Sequence, residues 1–260
     1  MKIPLYQIDA FAQRPFTGNP AAVCPLETWL PDALMQSIAM ENNLAETVFF
    51  VPEQDHFHIR WFTPLKEVKL CGHATLASAW VLFELLNYPG EVIRFNSLSG
   101  MLSVRRDGDL LTLDFPACPP VSCPPPADLA QLFGAEPIAC LHNEDLLLVF
   151  AQEDQVRCCQ PDLHGIAKLD FRGVIITAAA ADYDFVSRFF APRVGVPEDP
   201  VTGSAFTRLT PYWAAQTGKT RFRARQVSQR GGDVLCELQG DRVLISGHAV
   251  PVIQGFIDIP

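Results

Sequence analysis

The stretch from Gly72 to Asn87, GHATLASAWVLFELLN, decides the fold. Only His73 and Glu84 in it are ionisable, and apolar residues fall on every face of the helix it would form. Such a helix must be surrounded by protein. The sequence that follows is strand-like. Met101-Leu102-Ser103-Val104 and Leu111-Thr112-Leu113-Asp114-Phe115 alternate with the period of a half-buried strand. The simplest wrapping for this rod is a curled sheet.

The chain carries the pattern twice. Arg60-Trp61-Phe62-Thr63-Pro64 resembles Arg188-Phe189-Phe190-Ala191-Pro192, and Gly72-His73-Ala74 resembles Gly203-Ser204-Ala205. Asp107-Gly108-Asp109 matches Gln239-Gly240-Asp241, each a turn signal between alternating strands. The offsets from Pro64 to Pro192, Gly72 to Gly203 and Gly108 to Gly240 are 128, 131 and 132 residues, close to half of the 260. Three unlike landmarks at nearly one offset read as a duplication.

The fold class is therefore α+β, with two pseudo-symmetric domains. Each is a barrel-like, mostly antiparallel sheet wrapped round a central helix. The first covers residues 1–115, with a final strand over 250–260 returning to it, and the second covers 116–249. They join near the Pro-rich stretch from Pro116 to Pro126. The second rod, Gly203 to Gly218, contains Pro211, which predicts a kink. Another helix is predicted from Pro31 to about Asn42. Leu34, Met35, Ile38 and Ala39 form its apolar face, and Asn42-Asn43 suit a left-handed stop.

Charge narrows the function. The formal net charge is -9, from 20 Lys and Arg against 29 Asp and Glu. The longest run of basic residues is the pair Arg105-Arg106. Nucleic-acid binding needs a basic stripe, and a membrane-surface helix needs a Lys/Arg face; the sequence offers neither. An anionic substrate would have to be captured by a local device. The N-terminal MKIPLYQIDAF lacks the basic start and apolar run of a signal peptide. No apolar run reaches the roughly 18 residues of a membrane span. The expected location is cytoplasmic, so the eight cysteines, none in a Cys-x-x-Cys unit, are expected to be thiols.

The local device is the pair of helix starts. Gly72 and Gly203 let a ligand approach the backbone, and the first turn of each helix carries free N–H groups and the positive dipole end. A competing reading makes them packing glycines. Two acids lie nearby in sequence: Glu46 at the mouth of an apolar strand, and Asp199 just before the second helix. Helix capping is their structural alternative. The repeat offset takes neither acid onto the other, so each half supplies one carboxylate, at non-equivalent places. Different environments would push their pKa values apart, as an acid and a base require. His73, on a first helical turn, is expected to be neutral. Cys71 sits where a thiolate would be stabilised, or packs as a small apolar residue. The position matching it in the second half is Thr202. His56-x-His58 share a strand face without a third ligand in reach by spacing, so no metal is expected.

At these residues the chain resembles the PhzF-like family of phenazine-biosynthesis isomerases, which share the diaminopimelate epimerase fold. The resemblance is carried by Asp9-Ala10-Phe11, Phe16-Thr17-Gly18-Asn19-Pro20-Ala21 and Asn43-Leu44-Ala45-Glu46-Thr47. It continues through Arg60 to Pro64, Cys71-Gly72-His73-Ala74-Thr75 and Glu198-Asp199-Pro200-Val201-Thr202-Gly203-Ser204-Ala205. It implies a site between two domains, no cofactor, a small carboxylate substrate and often a homodimer. In the phenazine-pathway member a glutamate moves a proton between carbons of a ring amino acid; by motif that glutamate is Glu46. His73 and Asp199 match residues that assist it. Gly72, Gly203, Ser204, Asn19 and Cys71 fall with the substrate-binding set. The related epimerases use two cysteines, but here Thr202 replaces one, which disfavours a two-thiol racemase. Ala45 stands where a serine is expected in many members, and Phe206 where a histidine is expected. The implied function is a cofactor-independent isomerase. The alternatives are a metabolite-binding protein without turnover, or a one-thiol epimerase using Cys71.

Overall fold

The computed structural model describes residues 1–259. The chain forms two compact units, residues 1–114 with 246–260, and residues 115–245. Unit 1 contains β1 (Lys2–Ala10), β2 (Asn19–Pro25), α1 (Asp32–Asn42), β3 (Glu46–Glu53), β4 (His56–Phe62), β5 (Glu67–Val68), α2 (Gly72–Trp80), β6 (Val92–Ser97), β7 (Gly100–Asp107) and β8 (Leu110–Pro116). Unit 2 continues with β9 (Val121–Ser122), α3 (Leu129–Phe133), β10 (Ala139–His142), β11 (Leu146–Val149), α4 (Glu153–Arg157) and α5 (Leu163–Ile166). Then follow β12 (Val174–Ala179), β13 (Phe185–Ala191), β14 (Val196–Asp199), α6 (Gly203–Thr217), β15 (Arg221–Gln226), β16 (Gly232–Gln239) and β17 (Arg242–Gly247). The chain returns to unit 1 as β18 (Ala249–Asp258), antiparallel to all nine residues of β1.

In unit 1 the strands pair in the order β18-β1-β2-β3-β4-β6-β7-β8. The β2–β3 and β4–β6 pairs are parallel and the others antiparallel. α2 touches β18, β1, β2, β3 and β7, strands spread across that order, so the sheet curls round the helix. Ala74, Ala77 and Ala79 are fully buried, as are Ala10 and Ala21 on the strands. Small residues on both sides let helix and sheet pack closely. The other face of β3 receives α1, with Met35, Ile38 and Ala39 against Phe49, Val51 and Phe62. β3 is covered on both faces, which accounts for its unbroken apolar run from Val48 to Val51. α1 ends as read from sequence, with Asn43 left-handed at φ 48°.

Unit 2 repeats the pairing plan. β11–β12 and β13–β15 are parallel, the counterparts of β2–β3 and β4–β6. Gly108 and Gly240 sit at φ 58° and 62° in equivalent hairpin turns. One face of the sheet packs Leu146, Leu148, Val174, Ile176, Val186 and Phe190 against Leu129 and Phe133 of α3. On another side Phe185 stacks on Trp213 of α6 at 5.5 Å, and the Trp213 indole N–H donates to Thr177 Oγ1 at 3.2 Å.

One helical expectation changes. The apolar rod from Gly72 is α-helical only to Trp80; Val81–Leu85 form a π-helical turn, closed by Leu86 N–H on the Val81 carbonyl. α6 runs as one helix across Pro211. Proline removes the N–H that would bond the Thr207 carbonyl. The Cys118 N–H, from the Pro-rich stretch, donates to that carbonyl at 2.9 Å and satisfies it.

Candidate active site

Unit 1 gathers its chemistry where β2, β3 and α2 begin. The β1–β2 hairpin turns on Gly18, at φ +66°, where an added Cβ would lie 2.2 Å from the Ala10 carbonyl oxygen. Only glycine fits there. Asp9 fastens the same loop by accepting the Phe16 N–H at 2.7 Å. Asn19 then enters β2 fully buried. The parallel register sets Ala21 opposite Glu46, the first residue of β3, and α2 packs on both strands.

Asn19 Nδ2 lies 3.2 Å from His73 Nδ1, and Cys71 Sγ lies 3.5 Å from the same nitrogen. The Asn19 amide N–H facing Nδ1 suits a ring proton on Nε2. His73 Nε2 approaches Glu46 Oε2 to 3.3 Å, with the side chains 5% and 16% exposed. The approach is close but not aligned, and Nε2 makes no hydrogen bond within the protein. Burial drives the His73 pKa down to about 3, against a smaller opposing effect of the Pro20 carbonyl. The ring is neutral, as expected, but burial rather than the helix dipole leads the effect.

Glu46, Cys71 and His73 also bring a carboxylate oxygen, a sulfur and a ring nitrogen within 4.8 Å of one another. That is a ligand set a thiophilic divalent cation could use. His56 and His58 do find an acid, although spacing suggested none. Glu53 Oε2 lies 3.0 Å from His56 Nε2, and its Oε1 lies 3.5 Å from His58 Nδ1.

Unit 2 gathers Asp199, Thr202, Gly203 and Ser204 where β14 passes into α6. The Thr202 hydroxyl donates to Asp199 Oδ2 at 2.6 Å. Gln226, fully buried at the end of β15, donates to the Asp199 carbonyl at 2.6 Å and accepts the Thr202 N–H at 2.9 Å. Neither Cys71 nor Thr202 caps its helix with a side-chain hydrogen bond, and in α6 the Ala205 N–H turns back to the Thr202 carbonyl at 3.0 Å. Arg172 Nη2 donates to Ser204 Oγ at 3.3 Å, and its Nε donates to the buried Asp145 at 2.8 Å. Arg208, inside α6, places Nε 3.4 Å from Asp145 and donates to the Ser204 carbonyl at 3.0 Å. Sequence reading missed Gln226, Arg172, Asp145 and Arg208. They come from separate loops, a strand and a helix, and share no motif. Phe206 points into the core beside Phe185, 6.2 Å between ring centroids, and is fully buried.

A family model described as phenazine biosynthesis-like protein, PhzC-PhzF, matches residues 8–255. The chain belongs to this family. It is 52% identical over 258 residues to an uncharacterized isomerase of Pseudomonas aeruginosa, covering 99% of both chains. A crystal structure of a PhzF-family phenazine biosynthesis protein from Enterococcus faecalis superposes with a TM-score of 0.98 at 43% identity, covering 100% of both chains. The fold, though not the sequence, is shared with a hydroxyproline epimerase from Agrobacterium vitis. There the TM-score is 0.65 at 10% identity, over 98% of this chain and 92% of that one. Among the described residues, no helix is long and apolar enough to cross a membrane.

Proposed function

We propose that this PhzF-family protein is a cofactor-independent isomerase that moves a proton between carbons of a small amino or ring carboxylate. The observation that carries the reading is the Glu46 carboxylate 3.3 Å from a buried, neutral His73. A carboxylate takes a carbon-bound proton only if the carbon is activated, for example beside a carboxylate or an extended π system. Glu46 removes that proton and becomes a carboxylic acid. The electron pair spreads into the substrate, and Glu46 returns the proton to a second carbon. General acid–base assistance of this kind contributes about 10²–10⁴-fold. Donors facing the developing enolate-like charge supply the rest. The His73 Nε2–H and the N–H groups at the start of α2 suit that role. The name isomerase borne by the Pseudomonas relative supports the reading.

The test is hydrogen exchange. Small amino and ring carboxylates are incubated with the protein in D2O and followed by proton NMR. A substrate should gain deuterium at the reacting carbon, and Glu46→Gln should abolish the gain while leaving the fold intact. Unchanged exchange in that variant would remove Glu46 from the mechanism. Cys71 Sγ, 3.5 Å from His73 Nδ1, favours a second reading, a one-thiol epimerase. Cys71→Ala with full exchange excludes it. Binding of a carboxylate with no exchange at all would instead favour a binding protein.

A further inference from the structure

Two thiols of unit 2, outside the candidate site, stand in reach of each other. β9 and β10 are antiparallel, with Leu141 opposite Ser122 and His142 opposite Val121. One step along this register Cys123 faces Cys140, and the Cys123 N–H donates to the Cys140 carbonyl at 3.0 Å. Their Sγ atoms are 3.5 Å apart. Both residues are partly exposed, so a small reagent can reach them, and both pack against the same core cluster. An S–S bond measures about 2.0 Å, so closing the pair asks for a side-chain movement of about 1.5 Å.

We propose that Cys123 and Cys140 form a redox-active dithiol that a small-molecule disulfide of the glutathione type oxidises to an intramolecular disulfide. The steps balance without another reactant. The Cys123 thiolate attacks one sulfur of glutathione disulfide, and one glutathione leaves as its thiolate. Cys140, deprotonated as it reacts, attacks the Cys123 sulfur of the mixed disulfide and expels the second glutathione. Two protein thiols lose two electrons and two protons, and one glutathione disulfide becomes two glutathione thiols.

The order of attack follows from the surroundings. Burial, with the Cys123 contact adding to it, pushes the Cys140 thiol up to about 12. Cys140 is therefore a poor first nucleophile and acts only once an adjacent sulfur is activated. The bond would close a loop holding Pro124 to Pro126 and α3, whose Leu129 and Phe133 anchor it in the core.

The test uses the full chain carrying Cys158→Ser, which removes an exposed thiol that competes for the oxidant. The protein is treated with glutathione disulfide at mildly alkaline pH, alkylated, and read by intact mass and peptide mapping. The expected product has lost two hydrogens, joins the Cys123 and Cys140 peptides, and reverts with dithiothreitol. With Cys140→Ser added, one glutathionyl group should remain on Cys123. With Cys123→Ser added, Cys140 should remain alkylatable. The proposal is overturned if a glutathionyl group persists on Cys123 while Cys140 is present. It is equally overturned if both thiols stay alkylatable under conditions that oxidise the urea-unfolded chain.

Discussion

His73 turns Nδ1 to the Asn19 amide at 3.2 Å and Nε2 to the Glu46 carboxylate at 3.3 Å. One ring thus links the start of β2 to the start of β3, and Asn19 selects which nitrogen carries the proton. In nitrogen-15 NMR, His73 is expected as the Nε2-protonated neutral tautomer. Asn19→Ala should shift the resonances toward a mixture of tautomers. Finding the Nδ1-protonated form in the unmodified protein would reverse the donor assignment.

The same burial makes His73 a source of acid sensitivity. Burial holds its pKa at about 3 in the fold, against 6.5 for an ordinary histidine. Between those values the unfolded chain binds a proton that the folded chain refuses, so stability rises with pH across the window. The contribution is complete above about pH 6.5 and fades as pH falls toward 3, by at most about 5 kcal/mol. Urea unfolding of the protein and of His73→Gln at several pH values is the check. The variant should lose stability less steeply between pH 6.5 and 4.

Asp145 is fully buried and faces both Arg172 and Arg208. Asp145→Ala would leave two guanidinium groups without that counter-charge, at an expected cost of about 3–5 kcal/mol in urea unfolding. Arg172 also holds the Ser204 hydroxyl, so the same change should loosen the start of α6. Faster amide hydrogen exchange at residues 203–206 would register it.

Phe206 is a core residue of unit 2, whatever stands at that position in related chains. Phe206→Ala should cost about 3–5 kcal/mol by thermal or urea unfolding. Phe206→Leu, closer in volume, should cost under about 1.5 kcal/mol. A negligible effect of the alanine change would move the ring out of the core.

The readings that succeeded rest on periodic or repeated signals. The rod from Gly72 announced itself because a helix apolar on every face has one stable environment, and two copies at one spacing announced the duplicated plan. The family resemblance was legible because its motifs are contiguous in sequence, and the family match spans residues 8–255. What stayed hidden depends on contacts between distant segments. No local pattern links Cys118 to the Thr207 carbonyl that Pro211 leaves without a donor, 89 residues away. The same holds for Gln226 behind Asp199. The π-helical turn after Trp80 was hidden as well, because an all-apolar run looks alike at either helical pitch.

The pairing of β18 with β1 has a consequence for how the molecule is made. Unit 2 is one uninterrupted segment and can assemble as it leaves the ribosome. Unit 1 cannot: one long edge of β1 stays bare until β18 has been translated. The nascent chain thus carries an adhesive strand while every residue between β1 and β18 is made, the stage at which chaperone capture or mispairing with a neighbouring polysome would occur.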